Sequence, residues 1–68
     1  MNQFGIILKH IRNEEGVTQV QLAKYLNVTD RSIRDWENEK TEPNYDTLIK
    51  LANYFDVSVD YLIGRKEY

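Results

Sequence analysis

The sequence predicts an all-α protein, a compact bundle of five short helices. Residues that commonly begin helices precede four stretches of the chain, namely Thr18, Thr29, Asn44 and Ser58. Apolar residues then recur at intervals of three and four, as on one face of a helix. No alternation of apolar and polar residues is long enough to predict a sheet. The 68 residues contain no cysteine, so we expect a single core that depends on helix packing.

The first predicted helix spans about residues 2–15. Phe4, Leu8 and Ile11 would share one of its faces, because they are separated by three or four positions. Gly16 follows the last turn, where a glycine commonly ends a helix. We therefore expect this helix to contribute one apolar stripe to the core.

The second and third predicted helices, over about residues 19–26 and 30–39, are joined by a tight polar break. Thr18 and Gln21 form a T-x-x-Q capping box at the start of the second helix. Asn27 stands at its end, where a residue often adopts a left-handed conformation that asparagine tolerates well. Two short helices connected in this way predict a helix-turn-helix motif.

Pro43 lies in a polar loop after the third helix, and the fourth helix is predicted over about residues 45–54. The fifth begins at Ser58, with Val57 and Leu62 placed as a hydrophobic staple across its start. The predicted core comprises Phe4, Leu8, Ile11, Val17, Leu22, Ala23, Leu26, Val28, Ile33, Trp36, Leu48, Leu51, Ala52, Phe55, Val57 and Leu62.

The composition excludes most catalytic chemistry. His10 is the only histidine and the three glycines are scattered, so we expect no catalytic residues, metal ion or cofactor. The net charge of −2 opposes nucleic-acid binding by bulk charge and predicts weak non-specific binding. No secretion signal or membrane-spanning stretch is apparent, and we expect a cytoplasmic protein.

From Ile7 to Gly64 the sequence resembles the phage repressor, Cro and Xre-type helix-turn-helix family. The resemblance rests on Arg12, Gly16, Thr18-Gln19, Leu22-Ala23, Leu26, Val28, Ile33, Trp36-Glu37, Pro43, Leu48, Leu51-Ala52 and the run from Val57 to Leu62. It implies a lambda repressor-like DNA-binding domain. Two positions depart from the family, because Asn27 and Glu39 stand where glycine is frequent. Glu39 also adds a negative charge to a loop expected near phosphate.

The resemblance implies that the third helix reads DNA. Arg31 is the strongest candidate for base contact, because a guanidinium can donate two hydrogen bonds to guanine. The candidates are Asp30, Arg31, Ser32, Arg34 and Asp35. Alternatively, the charges form ordinary i,i+4 pairs on a solvated helix, and the aspartates could act by orienting the arginines.

Phosphate contacts are expected around the starts of the second, third and fourth helices and in the loop between the third and fourth. The candidates are Thr18, Gln19, Thr29, Asn38, Lys40, Thr41, Asn44 and Tyr45. Gln19 lies where free amides and the helix dipole favour an anion, although it could equally be a solvated glutamine. Arg12 and Glu37 are expected to form a structural ion pair, as the corresponding positions do in relatives.

The leading hypothesis is a sequence-specific double-stranded DNA-binding regulator, a repressor that binds an inverted repeat as a homodimer. Half-sites would lie about 34 Å apart or a multiple of it. The dimer contacts would come from exposed side chains of Val59, Tyr61, Ile63 and Tyr68. We assign residues 1–64 to the DNA-binding domain and 65–68 to a short charged tail, or to a linker leading to an oligomerisation or sensor domain. The alternative is a protein-binding module, an antirepressor or partner domain with an acidic surface.

Overall fold

Five helices form the structure, a computed structural model that describes residues 3–65. They are α1 Phe4–Glu14, α2 Gln19–Leu26, α3 Asp30–Glu37, α4 Tyr45–Phe55 and α5 Val59–Leu62. The described chain contains no strand, and the predicted all-α class is confirmed. The first helix begins at Phe4, whereas we predicted a start near Asn2, a residue outside the described range. None of the helices in residues 3–65 has the length and apolar character needed to cross a membrane.

Side-chain caps begin four of the five helices where the sequence predicts. Thr18 Oγ1 accepts a hydrogen bond from the amide of Gln21 at 3.0 Å, and Gln21 Oε1 accepts one from the amide of Thr18 at 2.9 Å. Thr29, Asn44 and Ser58 cap α3, α4 and α5 through the amide three residues later. Because each cap satisfies an amide that lacks an intrahelical partner, these helix starts are determined locally.

The end of α3 differs from the prediction of residue 39. The helix stops at Glu37, and Glu39 adopts a left-handed conformation with φ of 59°. The amide of Lys40 donates to Asp35 O at 2.8 Å, which closes the last turn. A residue with a Cβ costs about 1–2 kcal/mol in the left-handed conformation. A glutamate at position 39 therefore does not indicate that the helix ends there. Asn27 has the left-handed conformation expected of it, with φ of 59°.

The core contains thirteen of the sixteen predicted side chains. Those buried are Phe4, Leu8, Ile11, Leu22, Ala23, Leu26, Ile33, Trp36, Leu48, Leu51, Ala52, Phe55 and Leu62. Val17, Val28 and Val57 were also predicted to be buried, but they are only partly so and pack against the edge of the core. Each precedes an N-cap, where the chain enters a helix from the surface, so one side of the valine stays in contact with solvent.

The N-terminus of α1 rests directly on the C-terminus of α3. A Cβ on Gly5 would lie 2.5 Å from Glu37 O and 2.8 Å from Trp36 O, closer than any real side chain approaches. The contact brings the positive end of one helix dipole to the negative end of another, which is favourable. Gly5 is therefore required by the close approach of these two helices.

A buried ion pair joins the same two helices further along α1. Arg12 Nε lies 2.6 Å from Glu37 Oε2, and each residue is 8% exposed. Arg12 also donates to Val17 O at 2.8 Å, and Gln19 Nε2 donates to Glu37 Oε1 at 3.1 Å. No buried side-chain nitrogen or oxygen in the described residues is without a partner. This network links α1, α2 and α3 through one carboxylate.

Replacement of Gly5 by alanine should destabilise the fold strongly. The added Cβ would overlap backbone oxygens of α3, which cannot move without shifting the helix. We expect a loss of about 1–3 kcal/mol or more in the free energy of unfolding, measured by urea denaturation. Ile6→Ala is the matched control, because Ile6 is 72% exposed, and it should change stability little. Equal stability of the two variants would contradict the close approach.

Removal of one partner from the buried ion pair should cost more than removal of both. Arg12→Met and Glu37→Met each leave a buried charge without its counter-charge, and we expect losses of about 3–5 kcal/mol. The double variant should lose less stability than either single variant, as measured in a double-mutant cycle by urea denaturation. Additive losses would show that the two side chains do not depend on each other.

Candidate nucleic-acid interface

Helix α3 presents one polar face to solvent. Ile33, Trp36 and Glu37 are buried on its inner side. On the outer side Arg31 and Arg34 are exposed. The other predicted base-contact residues, Asp30, Ser32 and Asp35, are partly buried. All five candidates thus lie on α3, and the two arginines are the exposed members of the set.

Each arginine on this face is paired with an aspartate one turn away. Arg34 Nη1 lies 3.0 Å from Asp30 Oδ2, with both side chains about half exposed. Arg31 Nε lies 3.9 Å from Asp35 Oδ2, and the Arg31 side chain is 82% exposed. Pairs of this kind contribute about 0.2–0.5 kcal/mol, so a ligand that offers better acceptors can replace them. The aspartates orient the guanidinium groups without holding them tightly.

The N-terminus of α2 borders a shallow, open groove. Its lining residues are Arg12, Asn13, Gly16, Val17, Thr18 and Gln19. The capping box occupies the amides of Thr18 and Gln21. The amides of Gln19 and Val20 lie in the first turn of α2 and so have no intrahelical hydrogen-bond partner. Two backbone donors and the positive end of the helix dipole therefore remain for an anion.

Gln19 has a role that the sequence did not indicate. Its side-chain amide donates to Glu37 at 3.1 Å, so the residue at the start of α2 is anchored to the buried ion pair. The backbone amide of Gln19 is not involved in this bond. The same residue can therefore hold α2 against α3 and offer a donor to a ligand.

Several predicted phosphate-contact residues already serve as caps. Thr18 and Thr29 accept amide hydrogen bonds through their hydroxyl oxygens, and Asn44 accepts one through its side-chain oxygen at 2.9 Å. A capping hydroxyl retains its proton as a donor, and a capping asparagine retains its NH₂ group. Thr18 and Asn44 can therefore cap a helix and donate to an acceptor at once, whereas the Thr29 hydroxyl lies 3.1 Å from Ser32 Oγ, and either of these two hydroxyls can be the donor. The remaining candidates, Asn38, Lys40 and Thr41 after α3 and Tyr45 at the start of α4, are exposed.

The carboxylate of Glu39 makes a contact that sequence reasoning missed. Glu39 Oε2 accepts a hydrogen bond from the amide of Gly5 at 2.6 Å. The two residues are 34 positions apart, and no local pattern relates them. The loop after α3 is therefore attached to the start of α1.

The side chains predicted as dimer contacts are less exposed than expected. Val59, Tyr61 and Ile63 are partly buried and pack against the core. The reason is the shortness of α5, whose four residues lie close to both α1 and α4. Tyr68 lies outside the described residues. Large apolar side chains are exposed elsewhere, at Ile6, Val20, Tyr25, Tyr45 and Ile49.

Comparison with known proteins agrees with this arrangement. A family model described as helix-turn-helix matches residues 8–62. The HTH-type transcriptional regulator ImmR of Bacillus subtilis is 40% identical over 63 residues, which cover 93% of this chain and 50% of ImmR. The chain thus spans about half the length of that relative.

Two solved structures share the fold. A transcriptional regulator from Listeria innocua superposes with a TM-score of 0.89 and 35% identity, covering 97% of this chain and 62% of the other. The P22 c2 repressor, crystallised in complex with synthetic operator 9T, superposes with a TM-score of 0.86 and 30% identity, covering 93% of this chain and 96% of the other. The chain belongs to the helix-turn-helix family, and the members of that family to which it is similar include transcriptional regulators and phage repressors.

Proposed function

We propose that this chain binds double-stranded DNA in a sequence-specific manner and acts as a transcriptional repressor. The observation that carries the proposal is the outer face of α3, where two exposed arginines lie on a helix held from behind by a buried ion pair. Similarity to the operator-bound P22 c2 repressor supports it. In the proposed complex α3 lies in the major groove.

Base recognition would depend chiefly on Arg31. Its guanidinium is the most exposed charged group on α3 and its contact with Asp35, at 3.9 Å, is loose. On entering the groove it would exchange that contact for two hydrogen bonds to guanine O6 and N7. Asp30 and Asp35 could then accept from cytosine N4, or orient the arginines. Ser32 and Arg34 complete the candidate set for base contact.

Phosphate contacts would position the helix on the duplex. The free amides at the start of α2 suit one phosphate, because the helix dipole adds to the hydrogen bonds. Lys40 and its neighbours in the loop after α3 suit another. These few local contacts would offset the overall charge of −2, which otherwise disfavours non-specific binding.

We further propose that two copies bind an inverted repeat, one on each half-site. The described chain measures 27 × 23 × 20 Å, so two copies fit side by side on half-sites about 34 Å apart. Val59, Tyr61 and Ile63 are partly covered within one copy, which leaves little apolar area for a partner. We therefore expect the dimer to form mainly on DNA.

The second candidate function is a protein-binding module. The acidic balance of the chain and the five large apolar side chains that are exposed within residues 3–65 favour it. Selection from a random duplex library separates the two functions. Enrichment of a defined inverted repeat supports the repressor, whereas no enrichment of any sequence would overturn that proposal.

Substitution of Arg31 by alanine should weaken binding to the selected operator by about 1–3 kcal/mol and relax the preference at one base pair. The measurement is a fluorescence anisotropy titration against the operator and its single-base variants. Lys9→Ala is the matched control, because it removes the same charge from an exposed position on α1. Equal weakening on every sequence would reassign Arg31 to the phosphate backbone.

Binding should also fall steeply with salt. Each phosphate neutralised by a cationic side chain contributes about −0.9 to the slope of log affinity against log salt. With a few cationic contacts per copy, we expect a slope of roughly −2 to −4 for each half-site. Titrations at several potassium chloride concentrations measure it. A slope near zero would contradict recognition of the DNA backbone.

A further inference from the structure

The start of α1 has no local cap. Gln3 occupies the N-cap position but its side chain makes no capping hydrogen bond, and the first turn contains no acidic residue. Glu39, in the loop that follows α3, supplies the missing acceptor. Its carboxylate accepts a hydrogen bond from the amide of Gly5 at 2.6 Å. A carboxylate at this place is favoured by both the hydrogen bond and the positive end of the helix.

Glu39 is also held through its backbone. Its left-handed conformation, with φ of 59°, closes the C-terminus of α3. Its amide donates to Trp36 O at 3.2 Å and the next amide, of Lys40, donates to Asp35 O at 2.8 Å. The loop that leaves α3 is therefore fixed at two points, one on α3 and one on α1.

This loop carries three of the predicted phosphate contacts, Asn38, Lys40 and Thr41. All three are exposed, and loops with little burial are ordered only at an entropic cost. We propose that Glu39 is a positioning residue, whose bond to Gly5 orders this loop before DNA arrives. The inference rests on the proposed function. It also gives the negative charge of Glu39 a partner other than phosphate, since the N-terminus of α1 already offsets it.

Two substitutions separate positioning from charge. Glu39→Asp keeps the charge and tolerates the left-handed conformation, but its carboxylate is one methylene short of Gly5. Glu39→Gln removes the charge but keeps an acceptor oxygen at the same length. If Glu39 only repelled phosphate, Glu39→Gln would bind DNA more tightly and Glu39→Asp would match the wild type.

The positioning proposal differs from repulsion in what it expects of Glu39→Asp. Glu39→Asp should bind the selected operator about threefold or more weakly, whereas Glu39→Gln should bind at least as well as the wild type. Lys40 is the cationic member of the loop contacts, so loss of its phosphate contact in Glu39→Asp should make the salt slope smaller in magnitude by about 0.9. A cap that served only folding would lower the melting temperature and leave the slope of the fully folded protein unchanged. An unchanged affinity and slope in Glu39→Asp would overturn the proposal.

Glu39→Gly tests whether the effect of Glu39 comes from its carboxylate or from the backbone conformation at position 39. Glycine adopts the left-handed conformation without strain, so this variant retains the turn and loses only the carboxylate. Amide hydrogen exchange of the free protein should quicken at Gly5 and Lys40 in both Glu39→Asp and Glu39→Gly. Unchanged protection at Gly5 would overturn the contact itself.

Failure of the wild type to select any DNA would overturn the proposed function. Normal selection by the wild type, together with unchanged DNA binding by Glu39→Asp, would overturn the inference alone.

Discussion

The contact of Arg12 with Glu37 is the constraint on which the arrangement of the helix-turn-helix depends. Glu37 is the last residue of α3, and its carboxylate receives hydrogen bonds from Arg12 on α1 and Gln19 on α2. One buried group thereby fixes the positions of three helices. Because Ile33, Trp36 and Glu37 together define the buried side of α3, helical geometry places Arg31 and Arg34 away from it. The exposed face of α3 thus follows from a buried interaction on the opposite side.

The ends of α1 and α3 complete this arrangement. Gly5 permits the backbones to approach closely, and Glu39 then bonds to the Gly5 amide. A larger residue at position 5 would separate the helices and break the contact that Glu39 makes. The loop after α3 therefore depends on a glycine that belongs to another helix. Packing of the core and placement of the predicted phosphate contacts are connected through this one position.

On the proposed function, the surface of α3 suits discrimination between DNA sequences more than general affinity for DNA. Its arginines are accompanied by aspartates at distances of 3.0 and 3.9 Å, so the face carries little net charge. A non-cognate DNA sequence would leave each arginine paired with its aspartate, whereas the operator would offer the arginines better hydrogen-bond acceptors. Non-specific attraction would stay low. The acidic balance of the whole chain is compatible with such local recognition.

Local chemistry in the sequence determined where most helices begin, because Thr18, Thr29, Asn44 and Ser58 cap amides only three residues away. The spacing of apolar residues likewise determined most of the core, since residues three or four apart share a helix face. The bond of Glu39 to Gly5, the anchoring of Gln19 and the partial burial of Val59, Tyr61 and Ile63 were decided only by tertiary structure. Each joins residues far apart in the chain or depends on how helices approach, and no local pattern records such distances.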